Sequence, residues 1–213
     1  MQVRVVTVSK PLVFFLCLLP ILALVWRWYQ HQLGANPLEL IIRSLGEWGL
    51  LLLLITLTMT PLRDALGKSW PIQYRRMLGL FSFFYVCLHL TTYLWVDQFF
   101  DWDEIGHDIL KRPFITVGML AFILLVPLAV TSTRRMQRWL GKNWLRLHKL
   151  VYGIVVLAVL HFFWLVKADI TRPLYLAIAA GTLLLYRLYR HWAKASPHTA
   201  PRRVVESFAD RPR

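Results

Sequence analysis

The stretch MLGLFSFFYVCLHLTTYLWV, residues 77–96, contains no Asp, Glu, Lys or Arg and a single histidine, His89. Its length matches the ~20 residues, at ~1.5 Å each, that a helix needs to cross the hydrocarbon of a bilayer. An imidazole at that depth is costly unless it is paired or ligated, so His89 marks a candidate functional site. Working outward, apolar blocks of similar length recur at 11–29, 44–61, 114–133, 150–166 and 173–191. Two more histidines belong to them: His161 inside one block and His148 at its mouth.

With 57% hydrophobic and 17% charged residues, the chain reads as an all-α integral membrane bundle of about six spans. These form a single transmembrane domain over residues 1–213, with 193–213 as a short polar tail. The first block has a basic start at Arg4 and Lys10, like a signal peptide. It is nevertheless long, ends in Trp26, Trp28 and Tyr29, and lacks a small-x-small cleavage site, so it is expected to be a retained span.

The formal net charge of +14 is unevenly distributed. Arg4 and Lys10, Arg63 to Arg76, Arg134 to Lys149 and the C-terminal run from Arg187 all fall on one side of the alternating spans. Only Arg27, Arg43, Lys111, Arg112, Lys167 and Arg172 fall on the other. The positive-inside rule therefore places both termini in the cytoplasm. Short basic loops beside spans are explained by topology and anionic lipid headgroups, which argues against nucleic acid as a partner.

This topology gives the histidines depths. Counting outward from Arg75, His89 lies ~21 Å along its helix, and His161 lies ~20 Å beyond His148 on a parallel one. Two imidazoles at one depth suit the axial positions of a haem iron, within apolar helices that exclude water. The alternative for each is a packing histidine hydrogen-bonded to a neighbouring span. Arg75 and His89 share a helix face, whereas His148 and His161 are ~140° apart on an ideal helix. Either Gly153 permits local adjustment or His148 belongs to the frayed start of its helix. No C-x-x-C-H occurs, which excludes covalent haem attachment, and Cys17 and Cys87 read as small buried hydrophobes.

Several segments together carry a resemblance to a known family. They are Leu33-Gly34-Ala35-Asn36-Pro37, Thr60-Pro61-Leu62, Arg75-Arg76-Met77-Leu78-Gly79-Leu80, Leu88-His89-Leu90-Thr91-Thr92-Tyr93 and Arg112-Pro113. The run from Thr131-Ser132-Thr133 through Leu140-Gly141-Lys142 to Leu147-His148-Lys149 completes the set. Over nearly its whole length the chain resembles the MsrQ (formerly YedZ) family within the ferric-reductase-like transmembrane superfamily. The resemblance implies a b-type haem subunit of the bacterial inner membrane. It also implies electron transfer outward to a periplasmic, molybdopterin-containing methionine-sulfoxide reductase (an MsrP-like partner), and it allows for a bound FMN.

Within that superfamily the position fourteen before His89 is commonly histidine, but here it is Arg75. A guanidinium does not ligate iron, so a second haem would have His148 as its protein ligand, with Arg75 pairing a propionate. Haem b, one or two per chain, is thus expected at His89, His161, His148 and Arg75. After Trp192 there is no G-x-G-x-x-G and no room for a nucleotide fold, so electrons must come from quinol or a cytoplasmic flavin reductase.

The outer segment with Asp97, Asp101, Asp103, Glu104, His107 and Asp108 reads as a solvated acidic loop, a docking face for the partner, or a divalent-cation site. Glu47 is either a proton- or quinone-site residue or one that reaches the interface. Trp70, Tyr74, Trp95, Trp102, Trp139, Trp144 and Trp192 read as belt aromatics. Pro20 and Pro127 are expected to kink their helices and to open space for a macrocycle. Two rival functions share the outline: a stand-alone transmembrane ferric reductase, and a six-helix proton or metal transporter.

Overall fold

The computed structural model describes residues 2–166 and 169–195, and every regular element among them is helical. Helix α1 (Gln2–Tyr29) precedes α2 (Pro37–Leu66), and a 3-10 turn at Trp70–Tyr74 leads into α3 (Arg75–Thr91). A π-helical turn, Thr92–Asp97, extends α3 before α4 (Trp102–Lys111) and α5 (Pro113–Val130). Short helices α6 (Arg134–Leu140) and α7 (Lys142–His148) then lead to α8 (Leu150–Leu165) and α9 (Thr171–Ala195).

The protein is a multi-pass all-α membrane bundle. Among the described residues, five segments are long and apolar enough to cross a bilayer: Ser9–Tyr29, Pro37–Leu66, Trp70–Asp97, Pro113–Val130 and Lys142–Leu165. The remaining expected span is α9, which has 25 residues but is interrupted by Arg187 and Arg190. Lys167 and the tail from residue 196 onward lie outside the described residues, as do the side chains of Arg4 and Lys194.

Capping explains where the helices outrun the apolar blocks. Asn36 accepts a hydrogen bond from the Glu39 N–H, and Pro37 occupies the first helical turn, so α2 starts ahead of its apolar run. It stops at Gly67, whose φ of 61° is the left-handed conformation that ends helices. The segment after α3, expected as a loop, is also partly helical. Asp101 caps α4 by accepting from the N–H groups of Asp103 and Glu104.

Helix α2 is the centre of the bundle. Its Leu50, Leu53, Leu54 and Leu57 join one core with α5, α8 and α9, while Leu45 and Leu52 join another with α1 and α3. Its uninterrupted leucine run therefore reflects burial on two faces. Lipid is as apolar as these side chains, so close packing and interhelical hydrogen bonds supply the association. At Gly49 a Cβ would lie 2.7 Å from Val86 Cγ2, so only glycine lets α2 and α3 approach this closely. The fully buried Ser82 hydroxyl donates to the Gly49 carbonyl at 2.7 Å. On the far side of α2, Arg187 of α9 donates to the Leu57 carbonyl and Thr60 Oγ1, and Tyr186 donates to Asp64.

Pro20 interrupts the hydrogen-bond ladder of α1, and a side chain from α3 enters it. The Tyr85 hydroxyl donates to the Cys17 carbonyl at 2.8 Å and accepts from the Ile21 N–H at 3.2 Å, replacing one helical bond with two. Tyr85 is fully buried. Tyr85→Phe should leave both backbone groups unsatisfied at a cost of about 1–3 kcal/mol. Thermal unfolding in detergent should show the lower midpoint; an unchanged midpoint would mean that the hydroxyl is dispensable.

Candidate functional site

Between α2, α3, α5 and α8 lies a cavity of about 450 Å³ with a largely apolar lining. His89 and His161 border it from opposite sides, their ring centroids 6.2 Å apart and their planes at 78°. Two metal–imidazole bonds of about 2 Å each, with ~1 Å more from each nitrogen to its ring centre, span about 6 Å. The rings are thus spaced as two axial ligands of one metal would be. The slot around them is within the size range of cofactor pockets.

Each ring is held in the same way. His89 Nδ1 donates to the Ile42 carbonyl at 2.9 Å, and His161 Nδ1 donates to the Phe114 carbonyl at 2.6 Å, with 47 residues between the partners in both cases. A carbonyl inside a helix is normally screened by the side chain one turn later, since Cβ atoms lean toward the N-terminus. Here the residue one turn later is Gly46 in α2 and Gly118 in α5. A Cβ at Gly46 would lie 3.1 Å from His89 Nδ1, and one at Gly118 only 2.7 Å from His161 Nδ1. The glycines open the carbonyls, and the carbonyls fix the tautomer. The lone pair is left on Nε2, as metal-binding histidines require.

The same offset in sequence relates Ile42 to Phe114, Gly46 to Gly118 and His89 to His161. The pair α2–α3 and the pair α5–α8 are therefore two copies of one carbonyl–glycine–histidine device facing each other across the cavity. Sequence reasoning found the histidines and missed the glycines and carbonyls. The paired Gly-to-His spacing was the available signal.

The other expected ligand positions lie apart from this cavity, at the end of the bundle rich in basic residues. His148 is the last residue of α7, and the regular helical bonding is interrupted at Lys149, where the Lys149 and Tyr152 N–H groups bond three residues back, so ideal helical angles do not apply to it. Its ring stacks on Trp144, with centroids 4.0 Å apart, and its Nε2 lies 3.2 Å from Thr131 Oγ1. Trp144 donates in turn to the Thr131 carbonyl, so it is a packing partner of His148 rather than a belt residue. Arg75 is close enough to His148, Tyr152 and Arg187 for electrostatic interaction. Arg187 also donates to Tyr152, yet its Nε is buried without a partner.

At the opposite, acidic end the cavity has a mouth. Arg43 and Arg112 line both the cavity and a wider vestibule that also includes Arg27, Glu47, Asp169 and Arg172. Glu47 pairs with Arg172 at 3.2 Å, tying α2 to α9. The solvated reading of the acidic segment holds for Asp97, Asp101, Asp103, Glu104 and His107, which are exposed, and is corrected at Asp108, which is 1% exposed on the inner face of α4. Glu104, His107 and Asp108 have donor atoms within 4.8 Å of one another. The Asp108 carboxylate, however, is already bonded to Tyr93 and Arg112. Trp95, Trp102, Trp139 and Trp192 are exposed as belt residues would be, but Tyr74 is buried and hydrogen-bonded to Ser9. Neither Pro20 nor Pro127 borders the cavity.

Comparison with known proteins follows the same outline. Residues 45–159 match the family described as ferric reductase like transmembrane component. A protein of Rhodospirillum rubrum named protein-methionine-sulfoxide reductase heme-binding subunit MsrQ is 57% identical over 83% of this chain and 85% of its own length. Proteins of the same name from Herminiimonas arsenicoxydans and Caulobacter vibrioides are 48% and 49% identical. They cover 91% and 90% of this chain, and 90% and 93% of their own lengths.

The glycine device makes a graded prediction. Gly118→Ala should force the His161 ring off the Phe114 carbonyl and abolish tight binding of added ferric haem, followed by Soret absorbance in detergent. Gly46→Ala, with its longer approach to His89, should weaken binding less. Equal, unimpaired binding by both variants would show that ring placement does not depend on these glycines.

Proposed function

The chain belongs to the MsrQ family of ferric-reductase-like membrane proteins, and from that membership we propose that it is the haem-binding membrane subunit of a methionine-sulfoxide reductase system. In this reading it sits in the bacterial inner membrane with both termini and the basic end in the cytoplasm. It relays electrons from quinol or a cytoplasmic flavin reductase to a periplasmic molybdopterin-containing reductase that repairs oxidised methionines.

The observation that carries the proposal is the facing pair His89 and His161, spaced at 6.2 Å and each pinned through Nδ1 to a carbonyl. Haem b, when bound there, supplies one-electron exchange. The chain's own groups do the rest. His89 and His161 would hold the group through Nε2, and the carbonyls of Ile42 and Phe114 hold the tautomer and raise the basicity of the rings. Leu50, Leu53, Phe122 and Leu125 line the slot and exclude water. Pinned rings need not reorganise when the charge on the metal changes, which suits a relay more than a site of bond chemistry.

A second haem at the basic end would take His148 as its ligand once Thr131 yields Nε2, with Arg75 beside a propionate. Neither of two guanidinium groups there, Arg75 and Arg187, is paired with a carboxylate among the described residues, which favours an anionic occupant. FMN is a further candidate cofactor, on family resemblance alone. The description of the matched family supports one other reading, reduction of chelated ferric iron without a protein acceptor.

Reduced-minus-oxidised spectra of the detergent-purified protein, with pyridine haemochrome quantitation, test the proposal. The native chain should show a low-spin b-type signal. His89→Ala and His161→Ala should each lose it, while His148→Ala should lose at most the second haem. Unchanged haem content and spectra in both His89→Ala and His161→Ala would reject the ligand pair. Electron delivery that requires the periplasmic reductase, with no response to chelated iron, would separate the relay from the ferric reductase.

A further inference from the structure

Asp108 is a carboxylate with 1% exposure on the inner face of α4, beside the buried Ile105. Its Oδ2 accepts from the Tyr93 hydroxyl at 3.1 Å, and its Oδ1 pairs with Arg112 Nε at 3.1 Å. Only one side of this pair is buried, the Arg112 side chain being 53% exposed against 2% for that of Asp108, so solvent screens the attraction and the pair contributes little to stability. What it does supply is direction. Pro113 opens α5 and confines Arg112 to an extended backbone (φ −113°, ψ 92°). Asp108 then holds the guanidinium from one side, leaving its other nitrogens for a second anion.

The location of Arg112 identifies that anion. Arg112 borders the cavity that holds His89 and His161 as well as the open vestibule beyond it. Tyr93, one turn after His89 on the same helical segment, also borders the cavity and grips the same carboxylate. Arg43 is the other guanidinium lining both spaces, but its partner Glu39 is about as exposed as Arg43 itself. Arg112 is thus the guanidinium of the pair whose anchoring carboxylate is shielded from water.

We propose that Arg112 is the counter-charge for a haem propionate at the acidic-end mouth of the cavity, and that Asp108 is a positioning residue acting through it. The proposal rests on the haem reading above. A fixed positive charge beside the macrocycle favours the reduced iron, so it raises the midpoint potential. Asp108 supports that effect although its own charge has the opposite sign.

That opposition supplies the test. The midpoint potential of the His89/His161 haem is measured by spectroelectrochemical titration of the full-length protein in detergent, with haem content and low-spin spectrum checked for each variant. Arg112→Gln should lower the potential, shifting the ferric-to-ferrous ratio at fixed ambient potential by about tenfold, which is 59 mV for one electron. Asp108→Asn should lower it as well, and the double variant should fall no further than Arg112→Gln alone. Asp108→Glu, which keeps the charge, should recover part of the loss. A rise in Asp108→Asn would show only the direct field of a lost negative charge and would overturn the positioning role. An unmoved potential in Arg112→Gln would overturn the propionate assignment. If Asp108→Asn does not fold, Arg112→Gln and Arg112→Lys decide it, since lysine keeps the charge but not the guanidinium fork and should fall in between. A native protein with no low-spin haem would instead reject the haem reading itself.

Discussion

The carbonyl groups of Ile42 and Phe114, left open by a glycine one turn later, are what the centre of this bundle depends on. Inside a membrane a helix satisfies its own backbone, and its carbonyls are screened from neighbours. Gly46 and Gly118 remove that screen at two equivalent points, so each carbonyl takes an imidazole N–H in addition to its place in the helix. Fixing Nδ1 in this way commits Nε2 to the cavity. Both rings are thereby oriented by groups that themselves carry no net charge.

The rest of the packing serves that spacing. α2 lies between two cores and reaches α3 through Gly49, Ser82 and Val86, so the depth of His89 is set by backbone contact and not by flexible side chains. Between α5 and α8 only the carbonyl and glycine contacts recur for His161, through Phe114 and Gly118. α1 is joined through Tyr85, whose hydroxyl fills the gap made by Pro20. α9 is joined through Arg187 and through the Tyr186 and Arg190 contacts to Asp64. The two ends of the bundle differ in chemistry: clustered guanidinium groups near His148 at one, and paired carboxylates and arginines around the cavity mouth at the other.

Much of this was legible in the residues. Apolar blocks of membrane length, the excess of basic residues in alternate loops, and three histidines at span depth were enough for the helical bundle and for His89 and His161 as a pair. Helix limits were less legible at α2, because Asn36 and Pro37 start the helix on local hydrogen bonding ahead of the apolar run. The acidic segment was misread at one residue, for a related reason. Its charges read as solvent-facing, and nothing local distinguishes Asp108 from Asp103 or Glu104 until α4 forms and turns one face inward.

The sequence by itself determined the membrane environment, the helical class and the ligand types available, because hydropathy and residue chemistry are properties of each segment alone. Only the tertiary structure decided that the two imidazoles meet 6.2 Å apart, that each is held by a carbonyl 47 residues away, and that one carboxylate among many is buried against Arg112. Those outcomes depend on how closely separate helices approach. That distance is set by glycines and hydrogen bonds acting between segments remote from one another in the chain.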